Sequence, residues 1–199
     1  MNSYILLVRQ AIENYIKKRK IISPPTDLAG EFLTQRAGTF VTIEKNGNLR
    51  GCIGTYLPTK ENIAQEIIHN AIAAATEDYR FGPIQKEELP YLSYTVYILN
   101  EPELVKDLKE LDPQKYGIIV KTVPITQPRL IRRGSPERAA NGTDVMFNGH
   151  LPSKTGLLLP DLEGVNTIEK QIYITCQKGG IDPAREQVMI YKFTVKKYI

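Results

Sequence analysis

Residues 3–20, SYILLVRQAIENYIKKRK, carry Ile5, Val8, Ile12, Tyr15 and Ile16 at helical spacing, with charge on the other side and a basic end. That pattern predicts an amphipathic helix whose last turn suits the helix dipole and which ends before SPP at 23–25. GTFVTIEK (38–45), the turn signal NGN (46–48) and LRGCIGTY (49–56) read as strand, turn and strand. Pro58 and Thr59 stop the second strand and cap a helix over 60–76, whose apolar stripe is Ile63, Ile67, Ala71 and Ala74. After the loop TEDYRFGPI come strands at 92–100 (LSYTVYILN) and 117–121 (GIIVK). Residues 122–150 hold Pro124, Pro128, Pro136, Gly134, Gly142 and Gly149 with little periodicity and read as a long irregular excursion. TGLLLP (155–160) predicts a strand, 167–178 a helix ending at Gly179-Gly180, and QVMIYKFTV (187–195) a closing strand. Helices and strands are mixed without a repeated strand–helix–strand unit, which predicts an α+β fold rather than a doubly wound sheet.

Composition changes this picture little. With 42% hydrophobic and 24% charged residues in 199, the chain is neither disordered nor fibrous. The net charge of +4 gathers at 17–20, 129–133 and 196–197, a surplus sparser than the dense stripe of most nucleic-acid binders. The apolar run 4–8 is interrupted by Arg9, and no segment reaches the ~18–20 apolar residues of a membrane span, so a cytoplasmic protein is expected. In that compartment Cys52 and Cys176 are thiols rather than a disulfide.

The hairpin holds the candidate chemistry. A two-residue turn at Asn46-Gly47 would set Ile43 opposite Arg50, whereas a three-residue turn at 46–48 sets Thr42 opposite Cys52 and Glu44 opposite Arg50, and the second register is expected. One face is then Val41, Ile43, Leu49 and Ile53, the core. The other is Phe40, Thr42, Glu44, Arg50 and Cys52, with Arg50 about 6.6 Å along the strand from Cys52 and able to influence its thiol. Gly51 and Gly54 admit a close backbone or a ligand. A buried, space-filling cysteine is the competing reading. The two histidines, His69 and His150, offer weak support for a Cys–His pair, and nothing has the close spacing of a zinc site. SKTG at 153–156 lacks the upstream glycine of a phosphate loop. Glu77, Asp78 and Arg80 at the end of the second helix read first as a local ion pair or cap.

LRGCIG after the hairpin, NAIAAATEDYRF (70–81), SKTGLLLP (153–160) and CQKGGI (176–181) together resemble the AMMECR-type domain family, over most of residues 1–121 and 153–199. Against that family, 122–152 looks inserted. The resemblance implies two interwoven subdomains, an antiparallel sheet flanked by helices in the larger one, and a cleft between them. By position it marks Arg50, Gly51, Cys52, Ile53 and Gly54, and also Asn70, Arg80, Phe81, Lys154 and Gly156. It implies no settled activity and no known cofactor, and it suggests Memo-type or radical-SAM proteins as partners.

Two readings follow. In the first, an enzyme or small-molecule-processing protein uses Cys52 activated by Arg50, while Gly51, Gly54, Asn70, Arg80 and Lys154 bind a polar substrate. In the second, RGCIG is structural and the chain is a regulatory module for a protein or nucleic acid, the latter bound through Arg129, Arg132 and Arg133.

Overall fold

The computed structural model describes residues 2–26, 28–123 and 153–199. The chain forms two compact units, one of Met1–Pro102 with Phe193–Ile199 and one of Glu103–Lys192. The fold is α+β, with antiparallel sheets flanked by helices.

In the first unit, helix α1 (Ser3–Lys18) starts where the Asn2 side chain accepts the Tyr4 N–H at 2.9 Å and stops at Arg19, which turns left-handed at φ 54°. Its apolar stripe buries Ile5, Leu7, Val8, Ala11 and Ile12. A short helix, α2 (Gly30–Thr34), follows and buries Phe32. Strands β1 (Thr39–Lys45) and β2 (Asn48–Gly54) form the expected hairpin, followed by α3 (Ile63–Thr76) and β3 (Leu92–Leu99). With the last strand, β8 (Val195–Tyr198), the sheet order is β2-β1-β3-β8. Val41, Ile43 and Val96 are fully buried on the face that packs against α3 and α1.

The hairpin turn differs from expectation. Lys45 pairs with Asn48, so the turn is the two residues Asn46-Gly47, at φ 51° and 80°, the left-handed pair that matches strand twist. Thr42 still faces Cys52, because a bulge intervenes: Ile43 pairs with Gly51 and Glu44 with Leu49, leaving Arg50 as the extra residue. Glu44 therefore does not face Arg50, and Leu49 lies 43% exposed beyond the bulge rather than in the core. Helix α3 also starts later than expected. The N–H groups of Thr59 and Lys60 are taken by the Glu66 carboxylate at 2.7 Å each, and Asn62 caps the helix by accepting the Gln65 N–H.

The second unit contains β4 (Glu103–Leu104), β5 (Gly117–Thr122), β6 (Thr155–Leu158), α4 (Ile168–Gly179) and, up to Lys192, β7 (Val188–Phe193), with sheet order β4-β7-β5-β6. Its core is Leu111, Ile118, Val120, Cys176 and Ile181. Gly156 lies against the backbone of Thr175 and Gly179, which lets α4 sit directly on β6. The single closing strand expected at 187–195 is two strands in two sheets. β7 ends at Phe193, Thr194 is held by Asn100, and β8 (Val195–Tyr198) pairs with β3. Of the segment 122–150 expected to be irregular, Thr122 ends β5, with its N–H bonded to Lys154 O at 3.0 Å. The remainder of that segment, with Arg129, Arg132, Arg133 and His150, lies outside the described residues.

Candidate functional site

Strand β2 is an edge of its sheet, so alternate backbone groups point away from β1 and need other partners. At Cys52 they find them in the segment that follows α3. The Cys52 N–H donates to Asp78 Oδ2 at 2.8 Å, and the Cys52 carbonyl accepts from Arg80 Nη2 at 3.4 Å. Asp78, 5% exposed, also takes Arg80 Nη2 at 2.7 Å and Nε at 2.9 Å. Hydrogen bonding from Arg80 holds the Asp78 carboxyl down at about 2, against the opposing effect of burial. The local ion pair expected around Arg80 is thus also a clamp that stands in for a missing neighbour strand.

Arg50 turns to a different carboxylate. Its Nε and Nη2 each donate to Glu88 at 3.0 Å, a bidentate pair with side chains only 17% and 14% exposed, and its Nη1 donates to Gly82 O at 2.8 Å. Lys45 joins the same carboxylate at 3.0 Å. Arg50 is the main cause of holding Glu88 at about 2. Gly51 lies against the Ala74 carbonyl of α3, and Gly54 lies under the Phe40 ring and the Thr39 carbonyl. Both glycines admit parts of the protein itself.

The half-buried Cys52 side chain sits on the sheet face opposite the core. The Thr42 hydroxyl donates to its sulfur at 3.2 Å, and Thr95 lies beyond Thr42 in the next strand. The adjacent row across the sheet is Gly54, Phe40, Tyr97 and Lys197, with the Lys197 ammonium 5.9 Å from the Tyr97 ring centre. This face therefore combines a thiol, two hydroxyls, two aromatic rings and a cation.

Asn70 is buried and donates to Thr39 O, Thr39 Oγ1 and Thr55 Oγ1. Thr55 in turn donates to Glu66 at 2.6 Å. Glu66 is fully buried on α3, and although burial pushes its carboxyl up, four donors from Thr55, Thr59 and Lys60 outweigh it and hold it below the usual range. Glu66 and Glu88 were absent from the sequence reading. A Glu one position before Ile67 within the apolar stripe signals the first, and the box Gln85…Glu88 signals the second. Lys154 belongs to the second unit and pairs with Glu186 at 3.0 Å. His69 is an exposed position on α3.

The chain belongs to the AMMECR1 family, whose model matches residues 5–198. A protein of Thermotoga maritima is 44% identical over 196 residues, covering 98% of this chain and 96% of its own length. A Clostridium acetobutylicum protein is 38% identical over 98% of this chain, which spans 35% of that longer relative. The crystal structure of an uncharacterized protein from Pyrococcus horikoshii superimposes with a TM-score of 0.76 at 30% identity, covering 98% of this chain and 88% of that one.

Proposed function

We propose that this AMMECR1-family protein is a cytoplasmic enzyme or small-molecule-processing protein whose reacting group is the Cys52 thiol. The observation that supports this is the treatment of Cys52: its backbone is held on both sides, by β1 and by the Asp78–Arg80 clamp, while its sulfur lies half-buried on a polar face beside Thr42. A fixed backbone beneath a nucleophile keeps the geometry of attack constant, the general requirement for positional catalysis. Arg50 serves as a positioning residue, because its guanidinium is spent on Glu88 and Gly82. Arg80, Thr42 and Thr95 supply polar contacts for a small polar substrate, with the Phe40 and Tyr97 rings as an apolar wall. No helix among the described residues is long and apolar enough to cross a membrane.

A second reading is favoured by the same motif. Arg50, Gly51 and Gly54 all engage this protein's own groups, as a structural hairpin in a binding module for a protein partner, of Memo-type or radical-SAM kind, would require. Native-state alkylation separates the two. Iodoacetamide labelling followed by mass spectrometry is expected to modify Cys52 in the folded protein well before Cys176. Cys52 labelling only upon unfolding overturns the first reading and leaves the second. Binding of nucleic acid through the basic residues 129–133 would show itself as affinity falling steeply with salt.

A further inference from the structure

Arg9, Glu13 and Lys17 recur every fourth residue and so share one face of α1. That face meets the 3-10 helix Lys86–Tyr91, and between them lies a cleft of about 430 Å³ lined by Arg9, Glu13, Lys17, Lys86, Leu89 and Pro90. The volume falls in the range of small-molecule sites. Three of the lining side chains are cationic and one is anionic. The anion is committed, since Glu13 pairs with Lys17 along the helix. Among the described residues, neither the half-buried Arg9 nor Lys86 has a carboxylate partner or a side-chain hydrogen bond. The planar fork of a guanidinium matches phosphate or carboxylate oxygens.

A second feature lies behind this wall. Tyr94, 4% exposed on β3, is subject to the charges of both Arg9 and Glu13. Leu89 and Pro90 are the apolar residues of the cleft's lining. The ligand that fits has one compact anionic end and a small apolar body.

We infer that the cleft between α1 and the 3-10 helix Lys86–Tyr91 binds a small phosphomonoester, its phosphate held by Arg9 and Lys86 and its apolar body resting on Leu89 and Pro90. This site owes nothing to the chemistry of Cys52. It shares only the 3-10 helix, whose Glu88 faces Arg50 and Lys45.

The test is a calorimetric and NMR titration of the full chain with inorganic phosphate and with phenyl phosphate, using phenol as the neutral control. Phenyl phosphate is expected to bind more tightly than inorganic phosphate and phenol not at all, with amide shifts at residues 9–17 and 86–89. Arg9→Ala and Lys86→Ala should each weaken phenyl phosphate by about tenfold. Glu13→Gln, which removes the competing carboxylate and releases Lys17, should tighten it by about threefold. Lys86 is exposed, so its variant folds and keeps the test valid should Arg9→Ala not fold. The proposal is overturned by absence of binding at millimolar probe, by shifts mapping elsewhere, by affinity unchanged in Lys86→Ala, or by binding confined to an oligonucleotide. Cys52→Ser should leave the titration unchanged.

Discussion

Gly51 of β2 lies directly against the backbone carbonyl of Ala74 in α3, in the space that a side-chain Cβ would need. The motif's first glycine is therefore set by helix–strand packing. Neither side of the contact can yield cheaply, because one is a strand backbone and the other a helix carbonyl. Gly51→Ala is expected to destabilise the protein by about 3 kcal/mol in urea unfolding. Gly47→Ala, where the side chain meets open space but φ is 80°, should cost about 1 kcal/mol. Equal losses at the two positions would contradict this account.

The Arg50–Glu88 pair predicts that arginine's geometry matters as well as its charge. Arg50→Lys keeps a cation but loses the bidentate fork and the bond to Gly82 O. It should recover less than half of the roughly 2 kcal/mol lost in Arg50→Ala, as read from denaturation midpoints at constant slope.

Acid stability should report the two clamped carboxylates. Asp78 and Glu88 both sit at about 2 in the folded protein, below their ordinary values of 3.8 and 4.5. A depressed folded pKa contributes stability that is complete above the unfolded value and is lost as pH falls toward the folded one. Stability should therefore decline between about pH 5 and pH 2, and Asp78→Asn should flatten that decline. An unchanged slope in Asp78→Asn would show that the Arg80 clamp is weak in solution.

Glu66 offers a contrast within the same unit. Its carboxylate organises Thr55, Thr59 and Lys60 from a fully buried position, so Glu66→Ala strands several donors at once. A loss of about 3 kcal/mol is expected, together with faster amide exchange at Thr59 and Lys60. Glu66→Gln keeps the acceptor oxygen and should lose less.

Cys176 should be the unreactive thiol. It is 1% exposed in the second unit's core, and burial pushes its thiol up. Cys176→Ser should lower stability through its buried hydroxyl, whereas Cys52→Ser, on the polar face, should alter stability by less than about 1 kcal/mol.

The main helices and strands were legible because local periodicity determines them. The stripe of α1, the alternation of β3 and the glycines that end α4 each need only a few neighbouring residues. The pairing of Thr42 with Cys52 was also legible, although by a wrong route: a two-residue turn and a bulge at Arg50 give the same pair as the three-residue loop. Bulges depend on what the extra residue finds across the fold, here Glu88, 38 residues away. The short elements α2 and the 3-10 helix Lys86–Tyr91 span too few turns to show a period. The division of 187–195 between two sheets leaves no mark on an alternation that continues through Thr194. By itself the sequence determined the longer helices and strands and the pairing of Thr42 with Cys52, since spacing carries that information. Only the tertiary structure decided which carboxylate each arginine meets, why Gly51 must lack a side chain, and that Arg9 and Lys86 face one cleft, because those relations join residues distant along the chain and depend on packing.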